Sequence, residues 1–260
     1  MALSSAAAAS LRPQLLSSSP MAAVSVAPGS CGARSLSLRS KRHRHPLRKT
    51  SLRPRLPAIS AVHFEELVEK DWSFLYPSSD EGDRASKTDR IIAAGGVGEE
   101  SKVLACFPTA AFVDRLVETR PCELVIATHE SLFLLAEIKE NHDAVRCWQG
   151  GVEAVPERFS PLNAAFVCYF PAMGVPIGQL LESLSRRCSP GSRVVIGCEQ
   201  GREAADSQRR QYPDMVTSDL PDRSSLDQAA AENFFRVVEF VDESTFYLAV
   251  LELSASTTAS

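Results

Sequence analysis

KVLACFPTAAFVDRL, residues 102–116, decides how this chain folds. Val103 to Cys106 form a short apolar run of the kind buried in a parallel sheet. From Thr109 to Thr119, Phe112, Leu116 and Val117 recur on one face of a helix. A strand passing through a tight connection into a helix is the unit in which nucleotide-binding, doubly wound folds carry a glycine-rich loop. Here the connection reads Phe107-Pro108-Thr109-Ala110-Ala111, without a glycine.

The alternation continues on both sides. Asp89 to Ala94 reads as a helix stopped by Gly95-Gly96. Downstream, CELVIAT (122–128) is a second buried strand. Ser131 opens a helix with Leu132, Leu135, Ala136 and Ile138 inward, and AVRCW (144–148) is a third strand. NAAFVCYF (163–170) is a fourth strand. A helix over 175–188 carries Ile177, Leu180, Leu181 and Leu184, Ser189-Pro190-Gly191 turns, and RVVIGCE (193–199) is a fifth strand. A polar stretch, 200–224, precedes a helix over 225–233. FFRVVEFVDESTFYLAVLEL (234–253) then reads as two alternating strands turning at Asp242-Glu243-Ser244. The pattern predicts a doubly wound α/β domain over 88–253, five parallel strands with a C-terminal antiparallel hairpin, and a disordered tail over 254–260.

Charge divides the chain in two. Residues 1–64 hold ten Lys or Arg and no acid, with thirteen serines in the first sixty positions; from Glu65 onward 18 basic residues face 32 acidic ones, a net of −14. A Ser- and Arg-rich, acid-free leader is the composition of an organellar transit peptide. Its uncharged opening, MALSSAAAAS, points to a chloroplast rather than a mitochondrial presequence, and so to the stroma. Residues 1–58 are therefore expected to be disordered and cleaved near LPAISAV (56–62). The basic run KRHRHPLRK (41–49) also reads as a nuclear signal or nucleic-acid patch, but the acidic body repels phosphate backbones and argues against a nucleic-acid partner.

Between leader and domain lies a lead-in, 59–87. Phe64, Leu67 and Val68 recur at helical spacing, and Trp72, Phe74 and Tyr76 alternate. It reads either as a short helix with an aromatic clamp packed on the core or as a lid over a cleft. The seven cysteines include no C-x-x-C pair and no histidine at zinc-ligand spacing, so no metal site is expected. Cys106, Cys168 and Cys198 read as small buried hydrophobes in a reducing compartment. No apolar run reaches the roughly 18 residues of a membrane span.

AAGGVGEESKVLAC, VRCWQGGVEAVPERF, the run from Asn163 through RVVI, and the closing FFRVVEFV hairpin together resemble, in order and spacing, the class I S-adenosylmethionine-dependent methyltransferases over about residues 88–253. The resemblance implies a Rossmann-like methyltransferase sheet, S-adenosylmethionine as cofactor, and contacts from Cys106, Phe107, Thr109, Ala110, His129, Glu130, Gly150, Gly151, Glu153 and Tyr169. In the family, a glycine loop follows the first strand, an acid ending the second holds the ribose hydroxyls, and a third-strand acid sits near the adenine amine. Here the loop has no glycine, and Gly95, Gly96 and Gly98 lie before the strand instead. The ribose slot falls on Thr128-His129-Glu130, where Glu130 is either the ribose acceptor or an exposed first-turn residue. Gly151 stands at the adenine position, with Glu153 two residues on.

His129 is the best-placed base and Tyr169 an acceptor-side group; each also reads as an ordinary loop or strand residue. Two functions follow: a plastid methyltransferase acting on a small molecule, or a non-catalytic protein that kept the methyltransferase body to bind a small molecule or protein partner.

Overall fold

The computed structural model describes residues 69–76 and 81–255. The expected transit peptide, the helical spacing of Phe64, Leu67 and Val68, and most of the expected tail lie outside the described residues.

Seven strands form one sheet: β1 (Lys102–Cys106), β2 (Leu124–His129), β3 (Arg146–Gln149), β4 (Leu162–Val167), β5 (Cys188–Cys198), β6 (Phe235–Glu243) and β7 (Phe246–Leu253). Their spatial order is β3-β2-β1-β4-β5-β7-β6. The first five run parallel, and β7 pairs antiparallel with both β5 and β6. The strand order reverses between β1 and β4, so the carboxyl ends of β1, β2 and β4 border the crevice where such sheets bind ligands.

Helices α1 (Glu81–Ala94), α2 (Ala110–Thr119) and α3 (Leu132–Asn141) contribute Ile91, Ile92, Phe112, Leu116, Leu135 and Ile138 to one face of the sheet, against Val103, Ala105, Val125 and Phe166. On the other face, α4 (Ile177–Ser185) and α6 (Arg223–Glu232) bring Leu180, Leu181, Leu184 and Leu226 to Leu104, Ile126, Val194 and Ile196. Burial of both faces explains why β1, β2, β4 and the later part of β5 are nearly continuous apolar runs rather than alternating. Thr109, Ser131 and Asp222 cap α2, α3 and α6 by accepting from N–H groups three residues on. Helix α1 stops where the glycines predict, with Gly96 at φ +62.

Several boundaries differ from the sequence reading. Helix α1 begins eight residues before Asp89, through a polar segment without an apolar stripe. Strand β4 ends at Val167, because Pro171 lies in a 3-10 turn over Phe170–Ala172 and takes Tyr169 and Phe170 out of the ladder. Helix α4 is shorter than 175–188. Ser189-Pro190-Gly191 lies inside β5, where the pairing register shifts, instead of forming a separate turn. The polar stretch 200–224 contains a whole helix, α5 (Gly201–Gln211), whose buried residues are Gly201, Ala205 and Gln208. Arg202 fastens α5 by donating to Asp242 at 2.7–3.1 Å and to the Leu220 carbonyl at 2.6 Å. Among the described residues no helix is long and apolar enough to cross a membrane.

Candidate functional site

Strand β1 leaves the sheet at Cys106, and the next residue turns left-handed: Phe107 has φ 53. A side chain in that region costs about 1–2 kcal/mol, which glycine avoids. The loop therefore keeps a glycine-like backbone while carrying a benzyl group. Phe107 N–H donates to the Thr128 carbonyl at 2.7 Å, tying the turn to β2. The ring is buried, 4.9 Å from the imidazole of His129 and 5.9 Å from the indole of Trp72.

His129 is the last residue of β2 and is fully buried. Its Nδ1 accepts from Ser131 N–H at 2.9 Å, which places the proton of the neutral ring on Nε2. Among the described residues Nε2 has no hydrogen-bond partner, and the Trp72 ring stands at 76° to the imidazole, 4.5 Å away. Burial pushes the imidazole pKa down to about 4, so the ring is neutral at physiological pH.

Trp72 belongs to the lead-in, which enters the cleft as a 3-10 turn over Ser73–Leu75. Phe74 stacks between Tyr169 (5.7 Å) and Tyr212 (4.9 Å), and Leu75 is buried beside it. The Phe74 carbonyl accepts from the side-chain amides of both Gln200 and Gln208, each at 3.1 Å. Gln208 Nε2 also donates to Gln200 Oε1 at 2.7 Å, and Gln208 Oε1 accepts from the Tyr169 hydroxyl. Lys70 pairs with Glu130 at 2.7 Å on the surface. Burial raises the Tyr169 pKa, so its phenol stays protonated and acts as a donor.

The positions expected to face a cofactor thus converge only in part. Cys106, Phe107, Thr109, Ala110, His129 and Tyr169 gather at the carboxyl ends of β1, β2 and β4. Thr109 and Ala110 open α2, with Thr109 spent as its cap. Cys106 is buried, its thiol pushed up to about 12 by desolvation. Glu130 is about half exposed and occupied by Lys70. Gly150, at φ 111, and Gly151 follow β3. The Glu153 carboxylate accepts from Ser183 at 2.5 Å, on the α4 side. Gln200, Gln208 and Tyr212 escaped the sequence reading because α5 has no apolar stripe; its charge pattern, Glu203 in the first turn and Arg209 and Arg210 in the last, was the available signal.

The residues present do not fit S-adenosylmethionine in this arrangement. The Phe107 ring fills the cradle that a glycine would leave open, and Pro108 has no N–H to offer. The end of β2 presents a buried neutral imidazole, the next carboxylate, Glu130, is turned to the surface beside Lys70, and Gly151 supplies no carboxylate. The cavity left among Leu75, Phe107, Thr109, Tyr169 and Gln200 is about 30 Å³, against roughly 300–1,000 Å³ for small-molecule sites. A hollow of about 180 Å³ adjoins it, sharing Thr109, Phe112 and Glu199 and lined also by Arg84 and Thr88; larger ones lie away from it, about 510 Å³ at the amino end of β2, beside Val117, Leu124 and His142, and about 470 Å³ beside Phe170, Ile177 and Asp222.

No protein-family model matches the chain, and no curated protein matches it in sequence. Solved structures do match the fold. A Haloferax volcanii complex of the Trm112 methyltransferase activator with a methyltransferase aligns at 13% identity and TM-score 0.55, over 67% of this chain and 91% of that one. Geranyl diphosphate C-methyltransferase from Streptomyces coelicolor, with Mg2+, geranyl diphosphate and S-adenosyl-L-homocysteine, aligns at 13% and 0.53, over 70% and 88%. The N-methyltransferase NodS from Bradyrhizobium japonicum aligns at 12% and 0.53, over 68% and 99%. The chain has the Rossmann-like methyltransferase fold, and its structural neighbours are class I S-adenosylmethionine-dependent enzymes, some with bound cofactor or product.

Proposed function

We propose that this chain is a chloroplast protein of methyltransferase fold that acts by binding a partner rather than by transferring a methyl group. One observation carries the reading: Phe107, His129 and Trp72 pack ring to ring at the carboxyl ends of β1 and β2, and the hollows that meet at Thr109 measure about 30 and 180 Å³, below the roughly 300–1,000 Å³ of small-molecule sites. Moving the lead-in alone would not remove Phe107, the residue after β1, or His129, the last of β2. The acid-free, serine-rich leader supports a stromal address. The −14 balance beyond it disfavours nucleic acid and suits a protein or a small cationic molecule.

Calorimetric titration of the full chain with S-adenosylmethionine and S-adenosyl-L-homocysteine tests this. The expected result is no heat of binding up to millimolar ligand; micromolar binding of either would overturn the reading. A second reading, methyl transfer to a small molecule, is favoured by the cofactor-bound neighbours and the noncovalent seating of Trp72. It requires the lead-in to lift and the Phe107 ring to swing out. Micromolar binding in the same titration would favour it.

A further inference from the structure

We infer that the cleft at the carboxyl ends of β1, β2 and β4 is a peptide receptor. Residues 70–75 occupy it as an intramolecular ligand, and a partner polypeptide carrying Lys-x-Trp-x-Phe-Leu chemistry exchanges with them. The inference rests on the binding reading above and names the partner class.

The lead-in is seated as peptides are seated in recognition grooves: side chains in separate pockets and a main-chain group clamped by the receptor. Trp72 fills the slot beside Phe107 and His129, Phe74 the slot between Tyr169 and Tyr212, and Leu75 is buried next to it. Asp71 and Ser73 stay exposed, and Asp71 accepts from Ser73 N–H at 2.9 Å, shaping the turn from within the segment. Lys70 meets Glu130 at the rim. Recognition therefore reads a cation, two aromatic rings and a branched aliphatic, and ignores the residues between.

The clamp makes the groove a receptor rather than an ordinary patch of core. Gln208 is buried, and its amide spends its hydrogen-bonding capacity on the Phe74 carbonyl, Gln200 and Tyr169. With the segment gone, two amides would lose their shared acceptor and three aromatic faces would meet water. An empty groove is therefore costly, and the segment leaves it only in exchange for an equivalent occupant. The contacts are noncovalent, and each can be supplied by another chain.

The test uses the full chain with Trp72→Ala and a labelled peptide of residues 69–76, EKDWSFLY. Saturable binding is expected, at least about 100-fold tighter than to the wild type, where the tethered segment competes at roughly millimolar effective concentration. Adding Gln208→Ala should weaken it about tenfold, and a peptide with Ala for Trp should not bind. If Trp72→Ala fails to fold, Leu75→Ala, which weakens the tethered competitor while leaving both rings, takes the same titration and should still bind the peptide more tightly than the wild type. Absence of binding by a folded variant, or indifference to Gln208→Ala, would overturn the inference. Concentration-dependent dimers of the wild type without peptide binding would assign the groove to a second copy and equally overturn the partner. S-adenosylmethionine added to the same samples separates the two proposals: cofactor binding counts against the non-catalytic reading, and loss of peptide binding alone counts against the receptor.

Discussion

The Phe107 ring lies 4.9 Å from the His129 imidazole, across the ends of two parallel strands that pair Cys106 with Thr128. The contact is made from a backbone at φ 53, so the chain carries local strain to put a ring where the fold ordinarily leaves space.

That strain has a measurable signature. Phe107→Ala loses a buried ring and keeps the left-handed Cβ, and should destabilise by about 3–5 kcal/mol. Phe107→Gly loses the same ring but relieves the strain, and should be about 1 kcal/mol more stable than Phe107→Ala. Glycine normally ranks below alanine, so this inverted order in denaturant unfolding is diagnostic. The usual order would show that φ 53 is not the solution conformation.

His129 gives a pH prediction. Its pKa is about 4 when folded and about 6.5 when exposed, so between these values the unfolded chain binds more protons. The neutral ring's contribution is fully present above pH 6.5 and is lost as pH falls toward 4, by about 3 kcal/mol. Carboxylates titrate in the same range, so the measurement is a difference. Unfolding free energies of wild type and His129→Asn, which retains an acceptor for Ser131 N–H, should converge as pH falls from 6.5 to 4. Parallel curves would show that His129 is not buried neutral.

Tyr169 tests the hydrogen-bond chain behind the lead-in. Tyr169→Phe keeps the ring against Phe74 but leaves Gln208 Oε1 without its donor in a buried site. A loss of about 1–3 kcal/mol in unfolding free energy is expected. A change below 0.5 kcal/mol would mean that water replaces the hydroxyl and that the clamp on Phe74 is looser than the geometry indicates.

What the sequence disclosed and concealed follows from the range of each signal. Parallel strands buried on both faces are continuous apolar runs, so β1, β2, β4 and β5 were legible, as was the glycine-free turn between β1 and α2. The alternating aromatics of the lead-in were visible as a clamp or a lid. Their slots were not, because Trp72 meets Phe107 and His129 only through tertiary folding. Helix α5 was hidden because the residues it buries are Gly201, Ala205 and Gln208, none of which marks an apolar face. The one buried glutamine that holds the lead-in thus had no pattern to reveal it.

Gly201 shows how tightly that helix is set. It has φ +72, and a Cβ there would lie 2.5 Å from both the Phe246 nitrogen and the Ser244 carbonyl oxygen. Gly201→Ala must shift backbone as well as adopt an unfavourable φ, and a loss of about 3 kcal/mol or more is expected. Gln208 would move with α5, so peptide affinity should fall in step with stability. A stable Gly201→Ala chain would place α5 further from the β6–β7 turn.

The last prediction separates the forces that seat the lead-in. Lys70 and Glu130 are both nearly half exposed, and an ion pair of that kind contributes about 0–1 kcal/mol and weakens with salt. Lys70→Ala should therefore change unfolding free energy by less than about 0.5 kcal/mol at physiological ionic strength. Trp72→Ala removes an indole that is 6% exposed and should cost about 3–5 kcal/mol. The ratio decides what the rim acid does: with so little static contribution, Glu130 acts on the approach of a cationic segment. Its removal should slow peptide association at low salt and leave dissociation nearly unchanged. Stopped-flow rates for Glu130→Gln in the Trp72→Ala background measure this directly, and an effect confined to the dissociation rate would instead make the ion pair part of the bound state's grip.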